Sequence, residues 1–372
     1  MNDRAEQPAS RPEEMQKLRV LVVDDSPVAR AVLRSILESD AGIEVVGLAR
    51  NGWEGVQMAA RLRPDVITMD VRMPEMDGAE ATQQIMAYHP TPILIVTASL
   101  AKQDVDFSFR MLETGALDIF EKPAGDDPNS LRTRAQALIE RVHLLSRVRV
   151  ITHLRGRRHA KAAKEPPPPP EVLPAPLPTR SPERIVVIGA STGGPRALQR
   201  VLRKLPADFP VPVLVIQHIA SGFTQGLCDW LAEEIRLRIA VAREGEGLVA
   251  GRVYVAPESR HLLPDRHAVH LSEVPRTSPV PSVDVTMHAA ARTFGRRAIG
   301  VLLTGMGSDG AQGLLSIRRA GGVTIAQDQD TSTIFGMPRT AIEVGAAQQV
   351  LPLEEIASAI EEAVEAEVEA PV

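Results

Sequence analysis

Five side chains in the first third of the chain have the types and the spacing of a phosphoryl-handling site. Asp24 and Asp25 follow the β-branched run Arg19–Val23, Asp70 follows Asp65–Met69, Thr97 closes Pro92–Thr97, and Lys122 comes just after Ala116–Phe120. In a parallel α/β sheet, ligands gather outside the carboxyl ends of strands. Carboxylates crowded at such an edge repel one another unless a hard divalent cation with oxygen ligands holds them, and Mg²⁺ fits. A lysine there can neutralise an incoming phosphoryl group, and a threonine hydroxyl can hydrogen-bond it. Any one of these aspartates alone could be a helix cap; five suitable groups at four strand ends are not explained by capping.

The last half of the chain offers a different chemistry. Gly189-Ala190-Ser191-Thr192-Gly193 fits G-x-S-x-G between a strand-like run and a helix-like one, a sharp turn that presents a serine hydroxyl at the sheet edge. The same glycine-rich string also suits a phosphate loop, so a nucleotide-dependent fold is a rival. The acid such a fold places about 20 residues on is replaced here by Gln217 and His218. His218 follows the run 211–217 and shares the carboxyl edge with Ser191, while Asp309 lies in LLTGMGSDGAQG, just past the run 298–304. Serine, histidine and aspartate at three strand ends can serve as nucleophile, base and orienter. Asp284, Asp328 and Asp330 are rival third members, and Asp309 could simply cap a helix over Ala311–Arg319. The chain order Ser, His, Asp is not that of the α/β-hydrolases.

The elements that must position these groups follow from periodicity. β-Branched runs at 19–23, 43–49, 65–69, 92–97 and 116–120 alternate with helical spacing over Val28–Leu37, Val56–Leu62 and Ala79–Tyr88. That grammar predicts a doubly wound, flavodoxin-like parallel sheet. It resumes with strands at 184–189, 211–217, 298–304 and 323–327, interrupted by a hairpin of 252–257 and 268–272, and predicts a second, Rossmann-like sheet. The fold class is therefore α/β, with two mainly parallel-sheet domains. Residues 165–182 hold 9 of the 30 prolines and form a semi-rigid spacer. The expected division is a flexible start (1–17), a first domain (18–145), a basic and proline-rich linker (146–182) and a second domain (183–372).

Charge and composition exclude other classes. The net charge of −5 separates into −7 for residues 1–145, +6 for 146–181 and −4 for the remainder, so the basic residues concentrate in the linker and not on a recognition helix. Only 11 aromatics in 372 residues argue against stacking platforms for single-stranded nucleic acid. No apolar run approaches membrane-spanning length, the N-terminus is charged, and a lone cysteine, Cys228, excludes a disulfide framework, so the chain reads as cytoplasmic. Cys228 reads as a packed small hydrophobe, His261, His267 and His270 as surface histidines, and the C-terminal EEIASAIEEAVEAEVEA as a solvated acidic helix.

Two sets of motifs resemble known families. VVDDSPVAR, ITMDVRMPEMDG, VTAS and FEKP, within residues 18–145, resemble the receiver domain of two-component response regulators. The resemblance implies that Asp70 accepts a phosphoryl group, that Asp25, Asp70 and the Arg72 carbonyl hold Mg²⁺ with help from Asp24, and that Thr97 and Lys122 read the phosphoryl oxygens. Receivers commonly carry an aromatic switch residue where this chain has Ile119, beside Phe120. RIVVIGASTGGPRAL, VIQHIASGFT, RVYVAPESRHL, SVDVTM, GVLLTGMGSDGAQGL and FGMPRTA resemble the catalytic domain of the chemotaxis protein-glutamate methylesterases. That resemblance implies Ser191 as nucleophile, His218 as general base and acid, Asp309 as its orienter, and the Thr192 and Met306 N–H groups as oxyanion donors. It further implies a chemotaxis-type histidine kinase as phosphodonor, methyl-accepting chemoreceptors as substrate, deamidation of receptor glutamines as a second activity, and no cofactor for ester hydrolysis. No nucleic-acid partner and no membrane insertion are expected. A receiver-controlled DNA-binding protein or a nucleotide-dependent regulator is the alternative. Two departures, Ile219-Ala220 after His218 and the string SVDVTMHAA, leave Ser191, His218 and Asp309 intact.

Overall fold

The computed structural model describes residues 17–98, 102–123, 128–148, 150, 182–274 and 279–366. Of the proline-rich segment predicted as a spacer, all but Pro182 lies outside the described residues. The first unit runs β1 (Leu18–Val23), α1 (Pro27–Leu37), β2 (Ile43–Ala49), α2 (Gly52–Leu62), β3 (Val66–Met69), α3 (Gly78–Tyr88), β4 (Ile93–Thr97), α4 (Lys102–Thr114), β5 (Asp118–Glu121) and α5 (Pro128–Leu145). Its five strands lie in the order β2-β1-β3-β4-β5, every pair parallel. Helices cover both faces, so β3 and β4 are buried throughout and read as unbroken apolar runs. Helix starts are set locally: Ser26, Asn51 and Asp77 each accept a backbone N–H from the first turn of α1, α2 and α3.

The second unit contains β6 (Ile185–Ala190), α6 (Gly194–Leu202), β7 (Val213–Gln217), α7 (Thr224–Ala232), β8 (Arg238–Val241), β9 (Glu246–Gly247), β10 (Arg252–Val255), β11 (His261–Pro264), β12 (Ala268–Ser272), α8 (Val283–Phe294), β13 (Ala298–Leu302), α9 (Ala311–Arg319), β14 (Val323–Gln327), α10 (Met337–Glu343), β15 (Gln349–Leu351) and α11 (Ile356–Glu365). Seven strands form a sheet ordered β15-β14-β13-β6-β7-β10-β8, again parallel at every pairing. In both sheets the order reverses beside the first strand, between β1 and β3 and between β6 and β13. Crevices at such reversals are where open α/β sheets take their ligands.

Two expectations need correction. The hairpin of residues 252–257 with 268–272 does not form. Instead β10 joins the main sheet parallel to β7 and β8, and β12 pairs antiparallel with β11 in a small three-stranded sheet completed by β9. The turn that makes the actual β11–β12 hairpin is built by Asp265, whose carboxylate accepts the N–H groups of His267 and Ala268. The C-terminal helix is not wholly solvated either: Ile356, Ala357, Ala359, Ile360 and Ala363 are buried along one face of α11, and Arg184 hydrogen-bonds the Ala363 and Ala366 carbonyls at its end.

The two units share an apolar contact. Phe109 of α4 stacks on Trp230 of α7, ring centroids 5.5 Å apart, and meets Phe223 edge-on at 6.4 Å. The Trp230 indole N–H donates to Glu113 at 2.7 Å, and burial pushes the Glu113 carboxyl above its ordinary value. Gly226 of α7 lies so close to Val105 that a Cβ there would sit 2.1 Å from the Val105 Cγ1. Cys228 is buried beside this contact, and burial pushes its thiol up to about 12, in keeping with a packing role.

Candidate functional sites

At the carboxyl edge of the first sheet, one carboxylate oxygen from each of Asp24, Asp25 and Asp70 falls within 4.8 Å of the others. Lys122 reaches in from the end of β5, its Nζ 2.6 Å from Asp24 Oδ2 and 2.8 Å from Asp70 Oδ2. Burial raises the Asp70 carboxyl above its usual range, the neighbouring Asp24 charge adds to that, and Lys122 offsets only part of it. Burial works against the Lys122 charge, yet the Asp70 and Asp24 carboxylates outweigh it and hold the ammonium above its ordinary value. Thr97 is buried at the end of β4. The Arg72 side chain turns away to Asp104 and to Gln103. Ile119 is buried in β5 opposite Ile95, and Phe120 is the partly buried aromatic beside it.

The cluster fits a hard cation. Asp24 Oδ2 is buried without a well-directed hydrogen bond, with the Lys122 ammonium 2.6 Å away. Three acidic oxygens converging beside one lysine leave anionic charge that a divalent ion would satisfy.

At the edge of the second sheet, Ser191 follows β6 and the chain turns sharply through Gly193, at φ 75°, into α6. That backbone has no room for side chains: a Cβ on Gly193 would meet Thr333 Oγ1 at 2.4 Å, and one on Gly194 would meet Gln217 Oε1 at 2.0 Å. Ser191 is buried, with 5% of its surface exposed, and its N–H donates to the Thr304 carbonyl at the end of β13. His218 follows β7, and its Nε2 lies 2.9 Å from Asp309 Oδ2. The Nε2–H therefore donates to the carboxylate and Nδ1 is the nitrogen left to accept a proton. No hydrogen bond joins Ser191 Oγ to the His218 ring among the described residues. The Thr192 and Met306 N–H groups donate to no other described group.

Asp309 is held by more than the histidine. Its Oδ1 accepts from Ser282 Oγ at 2.8 Å and from the Asp284 N–H at 3.1 Å, and its Oδ2 accepts from the Val283 N–H at 2.7 Å as well as from His218. Burial alone would raise this carboxyl. The His218 and backbone hydrogen bonds, with the histidine's charge, win and hold it below its ordinary value. The rival acids go elsewhere: Asp284 accepts the Gly313 N–H and Asp328 accepts from Thr331, while Asp330 lines the cavity between the two units.

Several participants escaped the sequence. Gln217 donates through Nε2 to the carbonyls of both Ser191 and His218 at 2.8 Å, pinning the two strand ends together. Thr304 Oγ1 donates toward the Thr192 carbonyl at 3.0 Å. His261, expected on the surface, is fully buried, and its Nδ1 accepts the Ser282 N–H at 3.1 Å; His270 does lie nearer the surface, between Glu244 and Asp265. Arg141 of α5 crosses from the first unit to donate to Thr192 Oγ1 at 2.6 Å while pairing with Asp118, and burial pushes its guanidinium down to about 10. Only the string Gln217-His218 carried a local signal; the others are brought in by tertiary folding.

Comparison with known proteins bears on both units of the chain. The response regulator receiver domain model matches residues 20–136, and the CheB methylesterase model matches residues 186–360. A relative from Anaeromyxobacter dehalogenans, named protein-glutamate methylesterase/protein-glutamine glutaminase 2, is 48% identical over 93% of this chain and 96% of its own length. The chain belongs to the CheB methylesterase family. A Myxococcus xanthus relative, named protein-glutamate methylesterase/protein-glutamine glutaminase 3, is 45% identical over 90% of this chain and 91% of its own. The solved catalytic domain of the Thermotoga maritima CheB methylesterase is 39% identical, covers 49% of this chain and 97% of its own, and has a TM-score of 0.46. In this family member, no described helix is long and apolar enough to cross a membrane. Nothing in these matches supports the DNA-binding or nucleotide-dependent alternative.

Proposed function

We propose that the chain is a phosphorylation-activated protein-glutamate methylesterase that also deamidates glutamines, acting on the cytoplasmic helices of methyl-accepting chemoreceptors in the cytoplasm. The observation that carries this reading is the 2.9 Å His218–Asp309 contact beside a serine held on a glycine turn at the adjoining strand end. Ser191 Oγ attacks the ester carbonyl as His218 Nδ1 takes its proton. The tetrahedral oxyanion is received by the Thr192 and Met306 N–H groups, which are free of other described partners. His218 then gives that proton to the methoxy oxygen as its bond to the acyl carbon breaks, releasing methanol, and the same base activates the water that cleaves the acyl-enzyme and regenerates glutamate. A primary amide offers the same carbonyl geometry, and its nitrogen, protonated by His218, leaves as ammonia.

Asp70 is the proposed phosphoacceptor, with Thr97 and Lys122 contacting the phosphoryl oxygens. Asp24, Asp25, Asp70 and the Arg72 carbonyl would hold Mg²⁺, which supplies charge neutralisation at that edge; a chemotaxis-type histidine kinase is the proposed phosphodonor. The unphosphorylated receiver blocks its own output through Arg141 on Thr192 and through the packing of Met306 and Ile334 against the cluster that includes Phe120 and Leu145. Methanol release from methylated receptor membranes, with and without a small phosphodonor, tests the whole reading. Ser191→Ala is expected to lower that release at least about 10³-fold, as removal of a triad member does elsewhere. Near-normal release by this variant would refute the assignment.

A further inference from the structure

Asp309 is ordered by a residue that belongs to none of the assigned groups. Ser282 stands at the start of the 12-residue helix α8, where its backbone N–H is fixed by the buried His261 Nδ1 and its hydroxyl donates to Asp309 Oδ1 at 2.8 Å. With the Val283 and Asp284 N–H groups, this gives each carboxylate oxygen two donors, His218 being the fourth. The carboxylate therefore lies at the positive end of the helix with both oxygens fully engaged. A carboxylate held by only one or two donors could turn about its side-chain torsion and carry the imidazole with it. Two donors on each oxygen hold its plane, and with it the direction in which His218 Nδ1 points.

We infer that Ser282 is a positioning residue for ester hydrolysis, acting through Asp309 to fix the orientation and basicity of His218. The inference rests on the proposed Ser191–His218–Asp309 reading. A charged acceptor losing one donor becomes more basic and a stronger partner for the protonated imidazole. Removing the hydroxyl should therefore slow the reaction and also move its pH dependence, which loss of packing would not do.

Ser282 has a second duty, because its Oγ accepts the Val285 N–H at 3.3 Å as the N-cap of α8. Glycine is nearly as good a helix cap as serine, so Ser282→Gly separates the duties. The full-length chain, stimulated by a small phosphodonor, is assayed for methanol release from methylated receptor membranes across pH, and its melting temperature is recorded. Ser282→Gly is expected to keep the melting temperature within a few degrees, lower kcat/KM about tenfold with most of the loss in kcat, and shift the acid limb of the pH profile upward. Ser282→Thr, which restores a hydroxyl, should recover most of the rate and the original profile. A Ser282→Gly enzyme with a normal rate and an unmoved acid limb overturns the inference, as does a threonine variant no better than glycine. Asp309→Asn is measured in parallel: if it too stays near normal, the underlying triad reading fails, and not merely the role of Ser282.

Discussion

Asp70 carries a cost that its environment makes measurable. Its carboxyl is raised chiefly by burial and further by Asp24, so the folded receiver disfavours the charged form relative to the unfolded chain. A raised carboxyl destabilises the fold above its folded-state pKa, and the penalty disappears as pH falls below the ordinary carboxylate range near about 4. Asp70→Asn should raise the receiver's melting temperature at neutral pH by about 2–4 °C, lose that gain in acid, and abolish stimulation by a phosphodonor. A lower melting temperature at neutral pH would mean that the Lys122 pairing, not burial, governs this residue. Asp309 has the opposite sign: its depressed carboxyl adds stability at neutral pH that is lost as pH falls through its folded value. The two aspartates sit at equivalent sheet edges, yet four donors surround one and the other faces a second carboxylate.

At the level of elements, α4 packed against α7 is the joint that the proposed regulation has to open. Gly226 is a helical glycine with no conformational need for that identity, and what it makes room for is Val105. Gly226→Ala puts a methyl into that space while improving the intrinsic preference of α7 for helix. Basal methanol release without phosphodonor should rise severalfold toward the stimulated level, with maximal activity preserved; unchanged basal release would show that α4 and α7 yield without parting. The same scale shows what was legible in the sequence. The runs 19–23, 43–49, 65–69, 92–97 and 116–120 declared the first sheet because each is a short β-branched run; β3 and β4 are buried on both faces, and the edge strand β2 still reads through although Glu44 is exposed. Arg238–Val241 and Gln349–Leu351 went unread since sheet-edge strands of three or four residues are partly exposed and carry little pattern. The false hairpin arose because β10 and β12 both look like strands, and pairing is decided by position in space, not by propensity. Ser191, His218 and Asp309 could be proposed because each follows a strand that could be read. Ser282 and Thr304 lie in strings that could be read, SVDVTM and the end of the run 298–304, but nothing local names their partners; with Arg141, which has no marker, they enter through contacts made across 27, 112 and 51 residues of chain.

For the whole molecule, both sites lie at strand-order reversals, and one domain is seated on the reactive edge of the other. Removing residues 1–182 should raise basal methanol release above that of the intact unphosphorylated chain, because Arg141, Phe109 and Val105 all leave with the receiver. A truncated enzyme no faster than the intact chain would refute occlusion and leave phosphorylation to act by activation alone. The acidic character of both domains sharpens this expectation: units of net charge −7 and −4 repel at long range, so the apolar and hydrogen-bonded contact must hold them against that repulsion. Low ionic strength should weaken the seat, and screening should strengthen it.

The chain contains only two tryptophans, Trp53 and Trp230, and they occupy opposite environments. Trp53 is half exposed on the receiver, whereas Trp230 is 5% exposed, stacked on Phe109 and tied to Glu113 across the seam. Substituting Trp53 would leave a single indole whose emission reports directly on whether the seam is wet or dry. The protein thus carries its own optical gauge of domain opening, one that can be followed in real time during phosphorylation without a label and without a receptor.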